Sequence, residues 1–174
     1  MGYVALFVLV VMATHVPSLM PAALSIDSYP PDLWILLTLY IAFRSRGYSA
    51  VGWGIGLGVV RDAVSLDALG TNAFVLGFVA WLFAEGRVDR GRIDAGARVV
   101  LTFAGVVAAM WIYAFRVLPL GGGLPEGHLL GAFPVALWSA LFGAMLFPLL
   151  DRYHVLDDVT GVRESARRRG ALPA

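Results

Sequence analysis

The sequence has no cysteine and no lysine. Without cysteine there is no disulfide framework, zinc ribbon or thiol chemistry to consider. All thirteen basic residues are arginine, which reads as a bias of the genome rather than as function. Charge of either sign is scarce: charged residues make up 14% of the chain, where a soluble domain carries about 25%. The formal net charge of +1 says little about partners. No HExxH, Gly-x-Ser-x-Gly or P-loop signature occurs, so the common metalloprotease, serine-hydrolase and nucleotide-binding chemistries have no foothold. A cleavable leader is not expected either. The segment Met1–Leu24 lacks a basic start, and its apolar run is longer than a leader's core.

What is present is apolar sequence. Hydrophobic residues make up 59% of the 174 residues, and the mean hydropathy is +0.78. A spanning helix takes roughly 20 mostly apolar residues. Six stretches qualify or come close: Tyr3–Leu24, Pro30–Phe43, Tyr48–Leu66, Thr71–Ala84, Arg98–Leu118 and His128–Leu150. Pro17 and Pro21 predict a kink in the first. The second opens on Pro30–Pro31–Asp32, with proline suited to a first helical turn and the acid to the helix dipole. It is short for a span, which implies shielding by neighbouring helices or snorkelling flanks. Pro119–Gly127 contains three consecutive glycines and reads as a loop. The expected fold is an all-α integral membrane protein with six transmembrane helices. One domain covers residues 1–150, and an Arg-rich cytoplasmic tail covers residues 151–174.

Arginine placement sets the orientation. Arg44 and Arg46 follow the second stretch, and Arg87, Arg90, Arg92 and Arg98 follow the fourth. Arg152, Arg163, Arg167, Arg168 and Arg169 follow the sixth. Only Arg61 and Arg116 fall on the other side. This alternation requires an even number of spans and places both termini in the cytoplasm. Trp34, Trp53, Trp81, Tyr29 and Tyr48 stand toward helix ends, where aromatic anchors meet the membrane interface. The basic tail reads as an ordinary positive-inside anchor that can also lie on anionic lipid.

The third stretch carries the densest motif. Gly52/Gly56 and Gly54/Gly58 form two interleaved GxxxG pairs, and small residues at this spacing let helix backbones approach closely. The pairs face nearly opposite directions. One would pack inside the bundle, beside the first or sixth helix, and the other would be open to a partner; tight packing of both within one bundle is the alternative. Arg61 and Asp62 follow. Asp62 stands about 20 Å along a helix that starts at Tyr48. It could lie within the membrane as a functional group, sit in water past the helix end, or cap the turn Leu69–Asn72. In the last case Arg61 would face water or lipid head groups. Asp32 is accounted for by its N-terminal helical position, and Asn72 by capping the fourth helix. His15 reads as a hydrogen-bonded core or interface histidine.

The acids Asp27, Asp32, Asp62, Asp67 and Glu126 share the non-cytoplasmic side but are scattered along the chain. Sidedness alone does not make a paired-carboxylate site, and no catalytic, cofactor-binding or metal-ligating residue is assigned.

The segment Pro30–Leu82 resembles the rod shape-determining protein MreD family. The likeness rests on Pro31–Asp32 opening an apolar helix, the basic loop Arg44–Arg46, the Gly-rich helix Gly52–Gly58 ending at Asp62, and the turn Leu69–Gly70–Thr71–Asn72–Ala73. It implies a non-enzymatic membrane component of the bacterial cell-elongation machinery in the cytoplasmic (inner) membrane. The expected partner is the single-span protein MreC. RodA with its transpeptidase would follow, with MreB filaments and RodZ reached indirectly. Membrane lipid and a second copy of the chain are further expected partners, and nucleic acid is not. The resemblance also implies a fold like the substrate-capture subunits of energy-coupling-factor vitamin transporters. A small-molecule binding subunit of such a transporter is therefore the alternative. It would need a polar pocket on the outer side, built from Asp62, Asp67, Asn72, Arg116, Glu126 and His128. The candidate structural or partner-contact positions are Asp32, Gly52, Gly54, Gly56, Gly58, Asp62, Gly70 and Asn72.

Overall fold

The computed structural model describes residues 2–19, 30–45, 48–65, 69–85, 94–117, 128–153, 156 and 159–160, with the backbone alone for residues 16–19, 85, 116–117 and 128–130. Six helices follow in order: α1 Gly2–Leu19, α2 Leu33–Arg44, α3 Tyr48–Ser65, α4 Thr71–Glu85, α5 Ala95–Val117 and α6 His128–Arg152.

The short helix is the central one. α2 touches each of the other five helices, and every residue from Trp34 to Phe43 is buried. A helix that is apolar all round is stable only when covered all round, so shielding by neighbours explains its 12-residue length. Trp34 belongs to this core and is not an interface anchor, which corrects the expectation for that residue. The Thr38 hydroxyl donates to the Trp34 carbonyl at 2.9 Å, which removes an unpaired donor from an apolar surrounding. Tyr48 and Trp81 are exposed, and Trp53 meets Tyr3 of α1. Tyr29 lies outside the described residues.

Around α2 the helices pack mainly as two pairs, α3 with α4 and α5 with α6. α5 starts one turn earlier than expected, so Arg98 lies inside it. α6 runs past Leu150 to Arg152, and beyond it Leu156 and Val159 are buried in the same core. Pro17 lies within α1, whereas Pro21 is outside the described residues.

Two segments, Ala95–Phe115 and Gly131–Arg152, are long and apolar enough to cross a membrane. Gly2–His15, Leu33–Arg44 and Thr71–Ala84 are shorter apolar helices. The outer surface carries large apolar side chains such as Val4, Phe7, Val100, Phe115 and Met145, each more than 60% exposed. In water such a surface would drive association; against lipid it is matched.

Candidate functional site

One end of the bundle is organised by two carboxylates, each bonded to backbone amides. Asp32 is the N-cap of α2, and its Oδ1 accepts from the Trp34 and Ile35 amides, both at 3.1 Å. The two prolines therefore precede the helix rather than forming its first turn. The Asp32 amide donates to Ser139 Oγ of α6 at 3.0 Å. The Arg61 guanidinium reaches Asp32 Oδ2 at 2.9 Å. This corrects the expectation that Arg61 faces water or lipid head groups: the cap leaves lone pairs on Asp32, and a guanidinium one helix away fills them. The pair joins α3 to the start of α2, and the Ser139 bond joins α6 to the same point.

Asp62 is 3% exposed. Its Oδ1 accepts from the amide and side-chain Nδ2 of Asn72 at 2.8 and 2.9 Å. Its Oδ2 accepts from the Gly70 amide at 2.8 Å and the Ala73 amide at 3.3 Å. The first amides of any helix lack intrahelical partners, and here a carboxylate from the preceding helix supplies them. Asn72 is thus not the cap of α4. It sits in the first turn and bonds back to Asp62, because the capping place is already filled. Gly70 turns the chain with φ +91°, a conformation disfavoured for any residue with a Cβ. Its neighbour Leu69 is 80% exposed.

The interleaved glycines separate by face. A Cβ on Gly54 would lie 2.6 Å from the Leu76 carbonyl oxygen and 2.8 Å from Ala80 Cβ. One on Gly58 would overlap the backbone of Asn72 and Ala73. Gly54 and Gly58 are therefore where α4 lies against α3, rather than α1 or α6 as expected. α4 answers with its own small residues: a Cβ on Gly77 would meet Ile55 Cγ1 at 2.7 Å. A Cβ added to Gly52 or Gly56 would meet nothing within 4 Å, and both glycines are exposed. They belong to a stripe of exposed residues, Gly52, Ile55, Gly56, Val59, Val60, Ala63 and Val64. This is the i, i+3, i+4, i+7 spacing of one helix face. Its hollows are glycines and its ridges are β-branched side chains that are stiff at χ1.

At the opposite end lies a cluster that the sequence does not announce. Asp151 accepts from Arg44 Nη1, from Arg98 Nη1 at 2.7 Å and from the Tyr40 hydroxyl at 3.0 Å. It ties the ends of α2 and α6 to the start of α5. Tyr40 and Arg44 share one helix face at i, i+4 spacing, and that spacing is the available signal.

A cavity of about 430 Å³ lies beside the Asp32–Arg61 pair and is bordered also by Thr14, Ser65, Met110 and Val135. Among the described residues no group of three or more acidic or histidine side chains converges to hold a metal ion. His15 is exposed on α1. Asp27, Asp67 and Glu126 lie outside the described residues, and the side chains of Arg116 and His128 are not described.

No curated protein and no solved structure matches the chain. The family model described as rod shape-determining protein MreD matches residues 1–154. That match spans all six helices and the carboxylate caps described above, and the chain belongs to the MreD family.

Proposed function

We propose that this chain is a non-enzymatic membrane scaffold of the bacterial cell-elongation complex, and that the outward glycine face of α3 receives the single transmembrane helix of MreC. The family is one of shape-determining structural proteins and not a known family of enzymes. In this reading the chain crosses the cytoplasmic membrane six times with both termini in the cytoplasm. It helps couple RodA and its transpeptidase to the cytoplasmic filament.

The observation that carries the proposal is the unequal use of the two glycine pairs. Gly54 and Gly58 are consumed by α4, whereas Gly52 and Gly56 are open. Within lipid, helices gain little from the hydrophobic effect, and close backbone packing supplies the attraction. A glycine hollow between ridges of Ile55, Val59 and Val60 is what a partner helix needs. Those ridges lose little side-chain freedom on contact.

The transporter-subunit alternative draws on the cavity beside Asp32 and Arg61. Its two charged groups are bonded to each other, and Asp62 and Asn72 bond within the α3–α4 turn. Among the described residues few polar atoms are left at this cavity to select a ligand, which favours the scaffold. The test compares Gly54→Leu with Gly56→Leu. Gly54→Leu should collapse the α3–α4 pair and lose the monodisperse protein in detergent. Gly56→Leu should remain folded and lose co-purification with MreC. If Gly56→Leu binds MreC as the wild type does, the face is wrongly assigned.

A further inference from the structure

We propose that the bundle thins the membrane along its α4 edge, so that the lipid against α4 is a collar of phospholipid narrower than the surrounding bilayer. This rests on the six-span reading above. α4 has 15 residues, about 22 Å at the helical rise per residue, whereas the hydrocarbon core of a bilayer is about 30 Å thick. In the sequence, carboxylates bracket the run at Asp67 and Glu85, which limits its apolar length at both ends. Tilt shortens its reach across the membrane further.

α2 is shorter still, but it is buried from Trp34 to Phe43 and meets no lipid. α4 has no such cover: Phe74, Phe78, Trp81 and Leu82 are exposed along one side of it. From Phe74 to Leu82 this stripe advances about 12 Å. On α6 the exposed stripe runs from Phe133 through Leu137, Leu141 and Met145 to Leu149, an advance of about 24 Å. One edge of the bundle thus offers lipid half the apolar height that another edge offers.

The charged groups give a second, independent measure. Asp32 pairs with Arg61 at the start of α2, and Arg44 and Arg98 meet Asp151 at its end. From Asp32 to Arg44 the axis of α2 advances about 18 Å. All five side chains keep between 17% and 32% of their surface exposed. Charged groups inside hydrocarbon are costly and draw water and head groups toward them. Snorkelling does not close the gap. The Arg61 guanidinium is held at the α2 N-cap, and Arg44 turns back along its own helix to the Tyr40 hydroxyl at 3.0 Å. The start of α4 is level with the first of these layers, because Asp62, next to Arg61, accepts from the Gly70, Asn72 and Ala73 amides. A membrane that keeps both charged layers near its surfaces is therefore thin on this side, where α4 faces it.

The chain has no native cysteine, so single spin labels can be placed in the full-length protein reconstituted in dioleoyl-phosphatidylcholine. Phe74→Cys and Leu82→Cys report on α4, and Phe133→Cys and Leu149→Cys on α6. All four side chains are exposed, so the labels disturb little packing. The depth of each label below the nearer surface is read from its relative collision rates with oxygen and with an aqueous nickel complex. The two depths on one helix, added to the rise between the labels, give the hydrocarbon thickness at that edge. The expected values are about 22 Å at α4 and about 30 Å at α6. In dierucoyl-phosphatidylcholine, whose chains are longer, the α6 value should rise while the α4 value stays. The proposal is overturned if the two edges give the same thickness, or if the α4 value rises with the lipid as the α6 value does. Failure of the six-span reading looks different: both α4 labels would then lie in water or nearest the same surface, and α4 would not cross the membrane at all.

Discussion

Replacing Asp62 by alanine removes four hydrogen bonds at one stroke and leaves the start of α4 without its cap. The Gly70 amide is half-buried and can take water instead. The Asn72 and Ala73 amides and the Asn72 side chain are buried. A buried donor left unsatisfied costs about 1–3 kcal/mol. Water entering the vacated volume recovers part of this. A net loss of about 3 kcal/mol follows, or roughly a hundredfold in the folding equilibrium. Asp62→Asn keeps the shape but turns an NH₂ group toward donors, so it should lose part of that amount. The assay is the temperature at which the detergent-solubilised protein loses its monodisperse peak. Asp62→Ala should fall well below the wild type, with Asp62→Asn between them. If Asp62→Ala melts within about 2 °C of the wild type, less than the shift that 1 kcal/mol produces in a domain of this size, the carboxylate does not hold the α3–α4 turn.

Arg61→Gln should cost less than about 1 kcal/mol, because the pair it breaks is partly exposed. Asp32→Ala should cost about 2 kcal/mol by also removing the α2 cap; the same thermal assay separates them, and equal losses would contradict the division of roles. Gly70→Ala should cost about 1–2 kcal/mol through its positive φ alone, so a variant as stable as the wild type would mean the turn is not constrained as described. A fluorescent reporter that matures only in the cytoplasm, fused after Ala174, should light up. Activity of a periplasm-only reporter at that point would reverse the topology.

Much of the helical plan is legible in the sequence because it rests on local signals. α4 and α6 begin where their apolar runs do, at Thr71 and His128. The cap function of Asp62 is one of three placements the sequence leaves open, and it is among them because its partner turn is nearby in the chain. The Arg61–Asp32 pair is not legible, since it spans 29 residues and depends on which helices become neighbours. For the same reason the helix opposite Gly54 is not the expected one: GxxxG spacing marks a close approach without naming the partner. Asp151 reads as part of a charged tail, although Arg44 and Arg98 stand at the same end of the bundle. Unlike charges at one end mean contact only once α2, α5 and α6 converge. Trp34 shows the same limit, because position near a helix end does not distinguish an anchor from a core residue.

The absence of native cysteine allows the most direct test of the scaffold assignment. Single cysteines at Gly52, Gly56, Val60 and, away from the α3 face, Met145 of α6 can each be paired with a cysteine in the MreC transmembrane helix and oxidised in membranes. Disulfide-linked heterodimers are expected from positions 52, 56 and 60 and none from 145. Cross-linking from 145 with none from the α3 positions would contradict the assignment and move the partner to another face.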